Sequence, residues 1–247
     1  EISECLVGSE MCIRDSFTTV PVELYKLSIS LQGSFTAGIT GLGEDIGTVA
    51  AGIVQSLQDA GYKTNETLSN MYTEYCAERP TISMSAQDWS LPEPNMKHYT
   101  DDIMNEAKDF SDTAMVVLGR PGGEGADLPT NMSAVINGTY NQGLATSNAP
   151  ANWRYMNATY TNNGSYDDFE EGESYLEPSV TEEQLIEKVC SEFDNVIVVI
   201  NANNTMELGW VDNYEQIKSV ILAPGAGETG FTALGEILNG TVNPSGK

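Results

Sequence analysis

The run T-A-M-V-V-L-G-R-P-G-G-E-G-A-D, residues 113–127, decides the fold. Its first half, Ala114 to Leu118, is an unbroken apolar stretch of strand length. Such a run reads as a short buried strand. Gly119, Pro121, Gly122, Gly123 and Gly125 then keep the backbone irregular. A buried strand that ends in a glycine-rich loop is how open α/β sheets present chemistry. One carboxylate, Glu124, stands between two glycines, which can take positive φ and let the backbone approach a ligand. A surface turn carrying an acid has the same pattern, so spacing alone makes Glu124 a candidate and no more.

Working outward, N-V-I-V-V-I at 195–200 is a second continuous apolar strand, and Val220 to Leu222 a shorter third. Leu24, Leu27, Ile29 and Leu31 mark another at 24–31, and residues 62–65 are a short strand candidate. Helical patterns lie between them. Residues 46–60 carry Val49, Ile53, Val54 and Leu57 on one side, with Gly61 as the stop. Further helices are expected at 67–76 and at 101–110, which begins with acids. The next covers 181–193, where Thr181 can cap and Leu185, Ile186, Val189 and Cys190 share a face. A last helix holds Phe231, Leu234, Ile237 and Leu238. Residues 79–99, with three prolines, read as a loop.

This alternation predicts a single α/β domain: a doubly wound, mostly parallel sheet sandwiched by helices. Right-handed crossovers would then align the loops at 33–47, 119–127 and 201–205 on one sheet edge. Residues 128–178 interrupt the pattern as a long irregular insert, rich in Asn, Thr, Gly and Tyr. A loop of that length is normally functional or disordered. Asn131, Asn137, Asn157 and Asn163 begin sequon-type triplets, relevant only in a glycosylating host. The acidic run 167–173 reads as a solvated turn and lacks EF-hand spacing.

Composition narrows the function. The chain has 247 residues, 36 acids against 11 bases, and a net charge of −25. A nucleic-acid partner is excluded, because phosphate neutralisation needs clustered Lys and Arg. No run of ~18 apolar residues forms a spanning helix. Cys5, Cys12, Cys76 and Cys190 include no CxxC pair, so no metal site is expected. Cys190 reads as a small core residue. His98, the lone histidine, has no evident nucleophile to serve. Residues 1–16 lack periodicity and resemble the conceptual translation of a sequencing adapter. Cys5 and Cys12 would then be non-native, with the domain covering 17–247. Few lysines and an Asn/Thr-rich insert point towards an exported or cell-surface protein.

Three stretches together resemble the C-terminal α/β domain of glycoside hydrolase family 3, the β-glucosidase family. They are S-D-T-A-M-V-V-L-G-R-P-G-G-E-G-A-D at 111–127, F-D-N-V-I-V-V-I-N at 193–201, and 221–247 with A-P-G-A-G-E-T-G. P-E-P-N-M at 92–96 fits as well. The resemblance implies retaining hydrolysis of a β-linked glucoside or oligosaccharide, with no cofactor. The acid/base would be the glutamate of G-E-G, here Glu124. The nucleophile would lie on an N-terminal (β/α)₈ barrel of the same full-length protein, so the isolated 247 residues should be inactive. Asp127 would bind sugar hydroxyls or fix the loop, and Arg120 is assigned to substrate with it. A homodimer is a further expectation. Two departures bear on specificity: Leu128 where a basic residue often follows that aspartate, and Leu42 where the first glycine loop often has serine.

Two other readings stand beside this one. Gly41-Leu42-Gly43 resembles a dinucleotide-binding turn, but Gly47 comes one residue late for G-x-G-x-x-G. The domain could also be a non-catalytic, sugar-binding or structural partner of a barrel.

Overall fold

The computed structural model describes residues 16–19, 53–78, 93–120, 128–139, 168–202, 205–223 and 231–244. Strands β1 (Ser16–Thr19), β2 (Thr113–Arg120), β3 (Asn195–Ala202) and β4 (Ile217–Leu222) form one sheet in the order β1-β2-β3-β4. β1 runs antiparallel to β2, whereas β2, β3 and β4 are parallel. Around them lie helices α1 (Ile53–Asp59), α2 (Glu66–Glu78), α3 (Asp101–Phe110), α4 (Met132–Ile136), α5 (Val180–Glu192) and α6 (Thr232–Leu238).

Both faces of β2 are buried, which is why its apolar residues do not alternate with polar ones. Ala114, Val116 and Leu118 face one core with Val196, Val198 and Ile200 of β3. Helices α2, α3 and α5 close that core through Leu68, Tyr72, Met104, Ala107, Leu185, Ile186, Val189 and Cys190. Met115 and Val117 point the other way, to a second core with Val199, Ile53 and Leu57 of α1, and Leu234 of α6. The molecule is thus a helix–sheet–helix α/β domain, as the alternation of patterns predicts.

Helices α1 and α6 touch through a glycine. A Cβ built on Gly235 would lie 2.3 Å from the Ser56 carbonyl oxygen and 2.5 Å from the Ala60 Cβ. The Gly235 N–H donates to Ser56 Oγ at 2.8 Å, and Ser56 Oγ donates to the Thr232 carbonyl at 3.2 Å. Gly235→Ala should therefore destabilise the domain by about 1–3 kcal/mol through overpacking, although alanine is the better helix former. A urea titration checks this; an unchanged midpoint would mean that the helices can separate without cost.

On the other face Glu93, within the P-E-P-N-M stretch, is pinned to α2. Tyr72 and Tyr99 both donate to Glu93 Oε1, at 2.6 and 2.5 Å, and Tyr75 donates to the Glu93 carbonyl at 3.2 Å. Burial, then the neighbouring Glu93 and Tyr72, hold the Tyr99 hydroxyl well above its ordinary value of 10.0. Below pH 10 that hydroxyl is protonated whether the chain is folded or not. Above it, only the unfolded chain releases the proton, so stability falls. Tyr99→Phe should flatten this alkaline limb, as read from denaturant midpoints at successive pH values.

The structure also departs from the sequence reading. β1 has no counterpart there; among the described residues it is a short edge strand whose ladder partner is β2. Residues 62–65 form no strand beyond an isolated bridge at Tyr62, because Asn65 accepts the Leu68 N–H and starts α2. The insert is not irregular throughout. α4 folds within it, capped by Asn131, and Leu128, Met132 and Val135 are buried. Ser179, not Thr181, caps α5. The helix expected at 46–60 is described only from Ile53, and the strand at 24–31 and the loop at 33–47 lie outside the described residues. No described helix is long and apolar enough to cross a membrane.

Candidate functional site

The parallel ladder pairs Gly119 with Asn201 and Arg120 with Ala202, so β2 and β3 end side by side. β4 ends at the same edge, since Leu222 pairs with Ile200. In open α/β sheets, ligands bind outside these carboxyl ends. Glu124 and Asp127 follow β2 within residues 121–127, which lie outside the described residues. The flanks of that segment are described, and they are tightly built.

Arg120, the last residue of β2, is only 3% exposed. Its Nε–H donates to the Tyr175 carbonyl at 2.7 Å. Nη1 donates to the Gly119 carbonyl at 2.9 Å and to Glu182 Oε1 at 2.6 Å. Nη2 donates to the Glu177 carbonyl at 2.8 Å and to Glu182 Oε2 at 2.5 Å. The Tyr175 ring lies over the guanidinium, 4.7 Å from its carbon. A guanidinium has five N–H donors, and these five bonds use all of them. Arg120, assigned to substrate from the sequence, thus has the geometry of an internal anchor with no N–H left for a sugar hydroxyl.

Glu182 joins the anchor to a helix start. It is 2% exposed and sits at the third position of α5. Its Oε2 also accepts the Ser179 N–H at 2.7 Å, while Ser179 Oγ accepts the Glu182 N–H, a complete capping box. Asp168 reinforces this helix start: it accepts from Ser179 Oγ at 2.6 Å and from Thr181 Oγ1 at 2.9 Å. The acidic run is therefore not wholly a solvated turn. Burial, then Glu173, Glu170 and Glu177, raise the Glu183 carboxyl from its ordinary range. Among the described residues no group of three His, Cys, Asp or Glu side chains is disposed to hold a metal ion.

The far flank meets the same residues. The Tyr175 N–H donates to the Pro129 carbonyl at 2.9 Å, and the Met132 N–H to the Glu173 carbonyl at 2.9 Å. Next to this anchor, Asn201 is buried, and its Oδ1 has no hydrogen-bond partner among the described residues. A buried acceptor left unpaired costs about 1–3 kcal/mol. Sequence reasoning does not single out Tyr175, Glu182 or Asn201. Only Glu182 carries a signal, the S-x-x-E spacing from Ser179.

Comparison with known proteins gives a consistent answer. The family description "Glycosyl hydrolase family 3 C-terminal domain" matches residues 19–247. The chain is 28% identical over 179 residues to Beta-glucosidase A of Butyrivibrio fibrisolvens, covering 71% of this chain and 18% of that protein. It is 25% identical over 199 residues to a Beta-glucosidase of Ruminococcus albus, covering 79% of this chain and 16% of that one. A solved structure of a beta-glucosidase from Paenibacillus barengoltzii superposes with a TM-score of 0.54 at 25% identity, over 82% of this chain and 18% of that chain. The chain therefore spans less than a fifth of the length of these relatives.

Proposed function

Because the chain belongs to the family of glycosyl hydrolase family 3 C-terminal domains, we propose that it supplies the acid/base, Glu124, for retaining hydrolysis of β-glucosides. The nucleophile would be an aspartate on a (β/α)₈ barrel elsewhere in the full-length protein. One observation supports the reading: within a family match over 19–247, a glycine-flanked glutamate comes soon after β2 in the sequence, and β2 ends at the carboxyl edge of the parallel strands.

The chemistry needs two carboxyl groups about 5–5.5 Å apart. In the first step the barrel aspartate attacks C1 and the glycosidic C–O bond breaks. The protonated Glu124 gives its proton to the departing oxygen, leaving a covalent glucosyl-enzyme. In the second step the Glu124 carboxylate takes a proton from water as the water oxygen attacks C1. The aspartate leaves and glucose is released with its configuration retained. A general acid must hold its proton near neutral pH, which partial burial and a nearby nucleophile carboxylate both favour. Asp127 would bind sugar hydroxyls or fix the loop.

The division of the site between two domains gives a direct test. The isolated 247-residue chain should release no nitrophenol from a nitrophenyl β-glucoside. Steady turnover by that chain would show that it holds a complete site and that a barrel nucleophile is not needed.

A further inference from the structure

We infer that Arg120, Tyr175 and Glu182 form a buried clamp that positions the loop carrying the proposed acid/base, and that Arg120 acts by this means instead of by touching sugar. The inference rests on the acid/base reading of Glu124 for its effect on catalysis, but its geometry stands on described residues alone.

Tyr175 holds both flanks of the 121–127 segment through its own backbone. Its carbonyl accepts from Arg120 on the entering side, and its N–H donates to Pro129 on the leaving side. The two flanks are thus fixed to one residue contributed from far along the chain. Tyr175 is fixed in turn. Its ring covers the guanidinium and meets Phe169 edge-on at 5.5 Å. Arg120 reaches two residues further, to the Glu177 carbonyl, and then to Glu182 at the start of α5. Because Glu182 also closes the capping box, the helix start, the end of the insert and the end of β2 share one hydrogen-bonded unit.

A planar five-donor fork is what such a unit requires. Lysine, with three donors around a point charge, cannot serve carbonyls and a carboxylate in several directions at once. Placement matters to catalysis because a displacement of about 1 Å can cost about 10²-fold in rate. The insert thereby gains a specific role, since its last residues fix the two flanks of the segment that carries the proposed acid/base.

The consequence can be read from leaving-group dependence. A displaced acid slows departure of a poor leaving group, such as a second glucose. It hardly affects first-step departure of dinitrophenolate, which needs no proton. In the full-length enzyme, Arg120→Lys and Glu182→Asp should each lower kcat/KM for cellobiose by about 10²-fold. The same constant for a dinitrophenyl β-glucoside should stay near the parent value. The ratio of the two is independent of how much protein is folded, so partial unfolding cannot imitate the result. Equal losses on both substrates, or none, would overturn the inference. Glu124→Gln in the same assay separates the two claims: if it shows no leaving-group dependence, the acid/base reading fails instead. In the 247-residue chain, Arg120→Lys should also speed amide exchange at Tyr175 while leaving Val198 protected. An unchanged Tyr175 amide would sink the clamp whatever Glu124 does.

Discussion

Glu124→Gln in the full-length enzyme is expected to lower kcat/KM for cellobiose by about 10²–10⁴-fold, the usual contribution of a positioned general acid. Glutamine keeps the shape and some hydrogen bonding of the side chain but has no proton to give. The loss should shrink as the leaving group improves, and for a dinitrophenyl β-glucoside the first step should be nearly unaffected. The second step still needs a base to take the proton from water, so the glucosyl-enzyme should accumulate and give a burst of dinitrophenol. The alkaline limb of the kcat/KM profile reports the acid of the free enzyme, and it should disappear with Glu124. A variant with parent activity on cellobiose would remove Glu124 from the reaction.

The largest effect on stability is expected at Glu182. Its carboxylate and Arg120 form an ion pair whose side chains are 2% and 1% exposed. Glu182→Leu would leave a guanidinium buried with no counter-charge, and losing one partner of such a pair costs about 3–5 kcal/mol. That is a large share of a typical domain stability of about 5–15 kcal/mol. The Ser179 N–H would also lose its acceptor at the start of α5. The double variant Arg120→Met/Glu182→Leu should recover part of this, since no buried charge remains. Recovery should be incomplete, because Arg120 also serves the carbonyls of Gly119, Tyr175 and Glu177. Denaturant titrations of the parent and the two variants check the order. A Glu182→Leu variant as stable as the parent would mean that the pair is not buried in solution.

By contrast, the pairs of Lys108 and Lys188 with Glu192, which keep contact with solvent, hold that carboxyl below its ordinary range, chiefly through their hydrogen bonds. Their contribution to stability should be slight, as is usual for ion pairs in contact with solvent.

What is legible in the sequence follows from range. β2 and β3 are readable because burial on both faces leaves a continuous apolar signature within a few neighbouring residues. α3 is bounded residue for residue, with acids at its start and a strand just beyond it. The clamp is not readable. Arg120 and Glu182 meet across 62 positions, and nothing local marks either as a partner of the other. An arginine beside a catalytic-looking loop suggests an anion or a sugar, and only its five acceptors show that it faces inward. α4 escapes for a related reason: five residues give too short a window for helical periodicity, and its Asn131 cap also reads as the start of a sequon. The family resemblance carries the site further than patterning can, by assigning a role to one glutamate in a loop that spacing alone leaves ambiguous.

The central claim is that this domain brings the acid/base, and not the nucleophile, to a retaining site. Azide rescue of Glu124→Ala in the full-length enzyme tests it most directly. Azide needs no base to attack and fits the space that the glutamate vacates, on the sugar face opposite the barrel aspartate. The account predicts faster turnover with azide and β-glucosyl azide as the product. Formation of α-glucosyl azide would instead identify Glu124 as the nucleophile, and the absence of any azide adduct with unimpaired glucose release would show that it takes no part in the reaction.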